Sequence, residues 1–152
     1  MTIPLTERLR HWYEKCEVHF AVARPGGALD IGLASRARFL SDRELGLEVP
    51  RLAWLRLRSY LEANPWVALH PGELGAVKAP YQLKGVYTRA LEEGERDTVF
   101  PGAGDAVGVV IGLRELYITK PGPEAGLRVD HWTQEDLTRF EGELGWLREE
   151  NW

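Results

Sequence analysis

The segment EVHFAVARPGGALDIGLASRARF, residues 17–39, sets two runs rich in β-branched and aromatic residues on either side of a Pro-Gly-Gly turn. Glycine supplies the turn conformation and the flanking runs can present alternate residues to a core, so the segment predicts a β-hairpin. SDRE (41–44) is a further turn, and LGLEVP (45–50) is a third strand stopped by proline. WVALH (66–70), YQLKGVYTRAL (81–91) and AVGVVIGLRELYIT (106–119) bring the expected strands to six. PGELGAVKAP (71–80), EEGE (92–95), PGAGDAVG (101–108) and KPGPEAG (120–126) read as loops or turns.

Three helices separate or flank these strands. Leu5, Leu9, Trp12 and Cys16 form one stripe at helical spacing over residues 5–16. Residues 51–63 contain no interior Gly or Pro, and Asn64-Pro65 ends them because proline disfavours a helical predecessor. Thr133 with Asp136 marks the start of a last helix, with Leu137, Phe140, Leu144 and Leu147 on its apolar side. Short strands in hairpin succession with helices between them predict a mainly β, α+β fold. The expected architecture is a six-stranded antiparallel barrel, closed or split, with helices outside. No repeat, linker or low-complexity tract divides the chain, so residues 1–152 read as one domain.

A hydrophobic fraction of 44% supports a sizeable core. The net charge of −4 argues against a general nucleic-acid binder, which carries a basic face. One cysteine, Cys16, allows neither an internal disulfide nor a cysteine zinc cluster, which suits a reducing cytoplasm. His11, His19, His70 and His131 have no metal-ligand spacing, so no metal is expected. There is no membrane-length apolar run and no signal peptide. With three serines and no GxSxG, a hydrolytic triad has little support, and the glycines of 101–108 lack the lysine of a phosphate-binding loop.

Arginines stand out against this acidic background. Arg51, Arg56 and Arg58 lie within eight residues of the second helix, among leucines and Trp54. Residues 56 and 58 diverge by about 200° on a helix. If Trp54, Leu57 and Leu61 face the core, Arg56 and Arg58 flank them on opposite sides. In ASRARF, Arg36 and Arg38 share one side of a strand while Ser35, Ala37 and Phe39 share the other. Guanidinium groups grip phosphate through bidentate, charge-assisted hydrogen bonds, so these residues are candidate phosphate ligands. Solvated or Glu-paired surface arginines are the plainer reading. In YQLKGVY, Gln82, Lys84, Val86 and Thr88 share a side that faces either a polar ligand or water, and Gly85 predicts a bulge or a close approach. Trp54, Trp66, Trp132 and Trp146 read as core or dimer-interface residues.

Taken in order, FAVARPGGALDIGLASRARFL, LGLEVP, LEANPWVAL, YQLKGVYTRALEEG and ITKPGPEAG resemble the pyridoxamine 5'-phosphate oxidase-like, FMN-binding split β-barrel family over roughly residues 3–130. The NPWVAL and QLKG segments are the most telling. The resemblance implies a homodimer with FMN at the subunit interface and the chemistry of a flavin oxidoreductase or electron carrier. It places a phosphate ligand at Arg56, eight positions before Asn64, with Arg58, Arg36 or Arg38 as further donors. Leu57 departs from the hydroxyl residue usual at the next position. Gly32, Leu33, Ala34 and Ser35 match the segment along the isoalloxazine ring. Glu48, Val49 and Pro50 match the strand end beside the ribityl chain. Gln82 and Lys84 match positions that approach the flavin edge, often from the second subunit. No general acid or base is indicated. A deazaflavin or haem is an alternative ligand, and a cofactor-free dimer acting as an interaction module is an alternative function favoured by Leu57. Vitamin B6 phosphate oxidation ranks last, because the chain is short and ends in acidic LREENW rather than a basic segment.

Overall fold

The structure, a computed structural model, describes residues 2–74, 77–78, 81–119 and 125–143, with backbone alone at 73–74 and 77–78. The expected continuation of the last helix through Leu144 and Leu147, and Trp146 with it, lies outside these residues.

The Pro-Gly-Gly turn does what its chemistry predicts. Gly26 and Gly27 take φ values of 91° and 92°, a region costly for any side chain. They let β1 (Val18–Ala23) fold back on β2 (Leu29–Ala34) in antiparallel register. The second arm of the hairpin is not one strand, however. It breaks at Ser35, and β3 (Arg36–Phe39) pairs instead with β4 (Glu44–Val49). β5 (Trp66–Pro71), β8 (Tyr81–Ala90) and β9 (Val107–Ile118) complete a seven-stranded sheet ordered β2-β1-β5-β8-β9-β4-β3. β6 (Glu73–Leu74) and β7 (Val77–Lys78) form a separate two-stranded hairpin. The expected count of six becomes seven because one predicted strand serves both edges of the sheet.

That division dictates the shape. The two edge strands, β2 and β3, are consecutive in the chain with Ser35 alone between them, so the sheet curls until its edges meet. The Ser35 amide donates to the Glu48 carbonyl at 2.8 Å and fixes the joint. The result is an antiparallel split barrel, flanked by four helices among the described residues. Its interior holds Val18, Phe20 and Val22 of β1, Val67 and Leu69 of β5, Leu83 of β8, and Ile111 and Leu113 of β9, all at most 4% exposed.

Two helices close the barrel. α1 (Glu7–Lys15) is capped by Thr6, whose hydroxyl accepts from the Leu9 amide, and buries Leu9, Trp12 and Tyr13. α2 (Arg51–Ala63) buries Trp54, Leu57 and Leu61, so the inferred core stripe is the one observed. α3 (Glu93–Val99) begins within EEGE (92–95), the segment expected to be a turn, and runs on beyond it. It begins with a reciprocal capping box between Glu92 and Glu95. Phe100, at its end, joins Leu91 and Val110 in a second apolar cluster. This cluster covers the outside of β9, which explains why GVVIGL is buried on both faces and reads as an unbroken apolar run. α4 (Gln134–Glu143) starts at Thr133, whose hydroxyl accepts from the Asp136 amide at 3.0 Å. Its Leu137 enters the main core, and its buried Glu141 accepts hydrogen bonds from the Thr6 and Tyr81 hydroxyls.

Gly85 marks an irregularity in the β8–β9 ladder, as its place in the strand suggests. A Cβ there would press on the carbonyl oxygen of Gly112, a backbone atom with nowhere to go. Gly85→Ala is expected to cost about 1–3 kcal/mol through overpacking. Chemical denaturation of the variant beside the parent chain checks this, and equal midpoints would contradict it.

Candidate functional site

Most of the residues named from the sequence fall in three places, and Arg38 and Arg58 lie outside them. The first is the seam at Ser35. Ser35, Arg36, Glu48, Pro50, Arg51 and Leu52 help line a cavity of about 500 Å³, walled on the far side by residues 102–106 after α3. Arg36 and Glu48 stand opposite each other in the β3–β4 register. The guanidinium donates to both carboxylate oxygens, at 2.8 and 2.7 Å, and to the Pro101 carbonyl at 3.0 Å. It also lies 5.5 Å from the centre of the Phe100 ring. Glu48 is nearly buried, so this pair meets its charge internally. The cavity wall is therefore polar but close to neutral. The side chains of Ala34 and Val49, matched to flavin contacts, are 0% and 1% exposed. Both residues are buried in the core and neither lines the seam cavity.

The second place is the contact of α2 with β2. Leu57 is 0% exposed and packs beneath Gly32 together with Phe20. The position therefore belongs to the core, not to a ligand-facing surface. Arg56, one residue earlier, reaches over the strand. Its Nη1 lies 2.5 Å from the Asp30 carboxylate, and its Nη2 donates to the Ile31 carbonyl at 3.3 Å. The second Asp30 oxygen accepts the Ile31 amide at 2.9 Å. Hydrogen bonding to Arg56 holds the Asp30 carboxyl below the usual carboxylate range, against a smaller opposing effect of desolvation. The other two arginines are elsewhere. Arg58 pairs with Glu62 one helical turn on, at 2.8 Å. Arg38 donates to the Glu14 carbonyl near the end of α1, at 3.1 Å. The fold thus distributes Arg36, Arg38, Arg56 and Arg58 to four different partners and does not bring them to one point.

The third place is the outer face of the sheet. Leu29, Ile31 and Leu33 project from β2 with 69%, 54% and 37% exposure. Ile31 stands opposite Ala21, Ala21 opposite Ala68, Ala68 opposite Lys84, and Lys84 opposite Glu115, in one row across five strands. Ala21, Ala23, Leu29, Trp66, Ala68 and Lys84 border a shallow hollow of about 430 Å³. Lys84 sits 4.8 Å from the centre of the Tyr117 ring. Gln82 and Lys84 stand three strands from β2, roughly 14 Å away at about 4.8 Å per strand. One copy of the chain does not bring them to Arg56. Next to this row, His19 stands opposite His70, whose Nδ1 lies 2.7 Å from the Pro71 carbonyl. Burial pushes the His70 pKa down, and the neighbouring His19 adds to the effect. Trp66 is 47% exposed on this face, whereas Trp54 is a core residue and Trp132 packs edge-on to Phe140.

Among the described residues, no group of three or more His, Cys, Asp or Glu side chains could hold a metal. No helix among them is long and apolar enough to cross a membrane.

No protein-family model matches the chain, and no curated protein matches it. Solved structures do. An FMN-binding protein from Syntrophomonas wolfei subsp. wolfei superposes with a TM-score of 0.62 at 11% identity, over 78% of this chain and 88% of that one. A protein of Lactobacillus delbrueckii, named as a candidate pyridoxamine 5'-phosphate oxidase, superposes at 0.56 with 14% identity, over 74% and 93%. The fold is the pyridoxamine 5'-phosphate oxidase-like split barrel. HupZ of Group A Streptococcus also superposes on this split barrel, at 0.56 with 17% identity, over 80% and 98%.

The split barrel's Arg56–Asp30 pair has a titration signature. Arg56→Ala removes the main group that lowers the Asp30 pKa, so Asp30 is expected to titrate at a higher pH in the variant. The depressed pKa means the pair contributes above the unfolded carboxyl's pKa and is lost as pH falls through the folded value. Carboxyl carbon NMR across pH 2–6 measures both curves, and superimposable curves would show that the pair does not persist in solution.

Proposed function

We propose that this chain is an FMN-binding flavoprotein that works as a homodimer, with the flavin held where two outer sheet faces meet. The observation that carries the reading is the conjunction on β2 and α2. Leu29, Ile31 and Leu33 form an apolar strip of strand surface, and the Arg56 guanidinium sits at its edge, itself 47% exposed. A strip of this kind is suited to cover by a partner or a ring system. A cation beside it suits the phosphate of a mononucleotide. The solved FMN-binding protein of the same fold supports the ligand class. Leu33 and Ser35 would lie along the ring and Pro50 would approach the ribityl chain, whereas Ala34 and Val49, buried in the core, would support the site from behind. Gln82 and Lys84 would come from the second subunit, since they are far from Arg56 within one chain. The flavin would supply the redox chemistry of an oxidoreductase or electron carrier, and the protein would position it and exclude water.

A second reading has its own support. All four candidate arginines already have internal partners, and Leu57 is a core residue. Those facts favour a split-barrel dimer that serves as an interaction module without a cofactor.

Fluorescence titration with FMN separates the two. Under the flavin reading, FMN is quenched on binding and protein isolated from cells is yellow. Arg56→Ala weakens the complex, but by less than the about 1.5–3 kcal/mol of an uncompensated hydrogen bond to a charged group, because Asp30 already answers the guanidinium. A dimer that is colourless and takes up no FMN supports the module instead. Ile31→Glu tests the shared assumption, because a carboxylate on the apolar strip should shift sedimentation toward the monomer. A variant as dimeric as the parent would place the subunit contact elsewhere.

A further inference from the structure

We infer that Asp30 is a specificity-determining residue of this site, an internal carboxylate that occupies the anion slot of Arg56 and weakens its grip on a phosphate. For its ligand the inference rests on the flavin reading; for its chemistry it rests on the contacts of Arg56 alone.

Both terminal nitrogens of Arg56 are turned down onto β2. Nη1 meets the Asp30 carboxylate at 2.5 Å and Nη2 meets the Ile31 carbonyl at 3.3 Å. Asp30 is locked in turn, because its other oxygen takes the Ile31 amide at 2.9 Å. Its side chain is 23% exposed, so water screens it only in part. The depressed carboxyl pKa keeps it ionised at neutral pH, with Arg24 as a second, more distant cation acting on it. A phosphate reaching Arg56 therefore meets a full negative charge already in place. It must either displace Asp30 or bind beside it against like-charge repulsion. A ligand with the same ring system and no phosphate meets no such obstacle. The site should then discriminate weakly between FMN and riboflavin. Removing the Asp30 charge should restore discrimination by leaving Arg56 and Arg24 uncompensated.

Asp30→Asn is the direct test, because the amide oxygen can still accept from Ile31 while the charge is gone. Affinities for FMN and for riboflavin are measured on the parent chain, Asp30→Asn, and Asp30→Asn combined with Arg56→Ala. Asp30→Ser serves in parallel should the asparagine variant lose its circular dichroism. The expected result is an FMN affinity about tenfold higher in the single variant, riboflavin affinity within about twofold of the parent, and loss of the gain in the double variant. A merely structural Asp30 would change both flavins together and leave their ratio fixed, which overturns the inference. If no variant binds either flavin, the flavin reading falls and inorganic pyrophosphate decides the matter. In that arm, followed through the arginine side-chain nitrogen resonances, an Arg56-dependent gain in Asp30→Asn upholds the competitor role. No gain refutes it.

Discussion

A single residue, Ser35, joins the two edges of the seven-stranded sheet, and the rest of the molecule is arranged around that joint. A flat sheet could not keep β2 and β3 consecutive in the chain and also at opposite ends of the strand order. Curling the sheet satisfies both, and the interior that results is narrow enough for side chains to fill. Closure at the joint rests on the Ser35 amide and the Glu48 carbonyl rather than on a full ladder. The barrel is therefore open to neighbours along this line. The start of α2, the Arg36–Glu48 pair and the residues after α3 all gather there.

Charge is handled locally throughout. Arg36 is answered across the strand pair, Arg56 across a helix–strand contact, Arg58 along its own helix, and Arg38 by a helix-end carbonyl. Exposed pairs such as Arg58–Glu62 are worth little to stability, so under the proposed flavin reading their placement matters through what each pair denies to an anion. At Arg36 the denial is strong, because the carboxylate is buried and both its oxygens are taken. At Arg56 it is weaker, because the pair is partly solvated and only one Asp30 oxygen faces the guanidinium.

Much of the architecture was legible in the residues, since turn chemistry and periodicity are local. Pro-Gly-Gly announces the β1–β2 hairpin, Asn64-Pro65 ends α2, and the spacing of Trp54, Leu57 and Leu61 names its buried side. The break at Ser35 was not legible, because ASRARF contains no glycine or proline and only pairing with β4 bends it. α3 was missed because seven residues with no buried side chain show no apolar stripe. Its one local sign, the glutamates at 92 and 95, is an unusual capping pair. The candidate site was less readable still. Arg36 and Glu48 are brought together by strand register, and Asp30 and Arg56 by docking of α2 on β2. Neither partnership has a signature in linear spacing. The exposure of Trp66 and of Leu29, Ile31 and Leu33 was equally hidden, because an alternating strand does not say which of its faces is covered.

Tyr13 of α1 gives the molecule an uncommon coupling. The paired register of β5 and β8 ends at Leu69 and Leu83, and the phenol sits at that point, donating to the Leu69 carbonyl at 3.0 Å and accepting the Leu83 amide at 2.9 Å. A helix side chain thus serves as the last rung of a strand ladder. Undocking of α1 cannot occur as an independent fraying event: it strands a donor and an acceptor inside the barrel, so the helix and the centre of the sheet open as one cooperative unit.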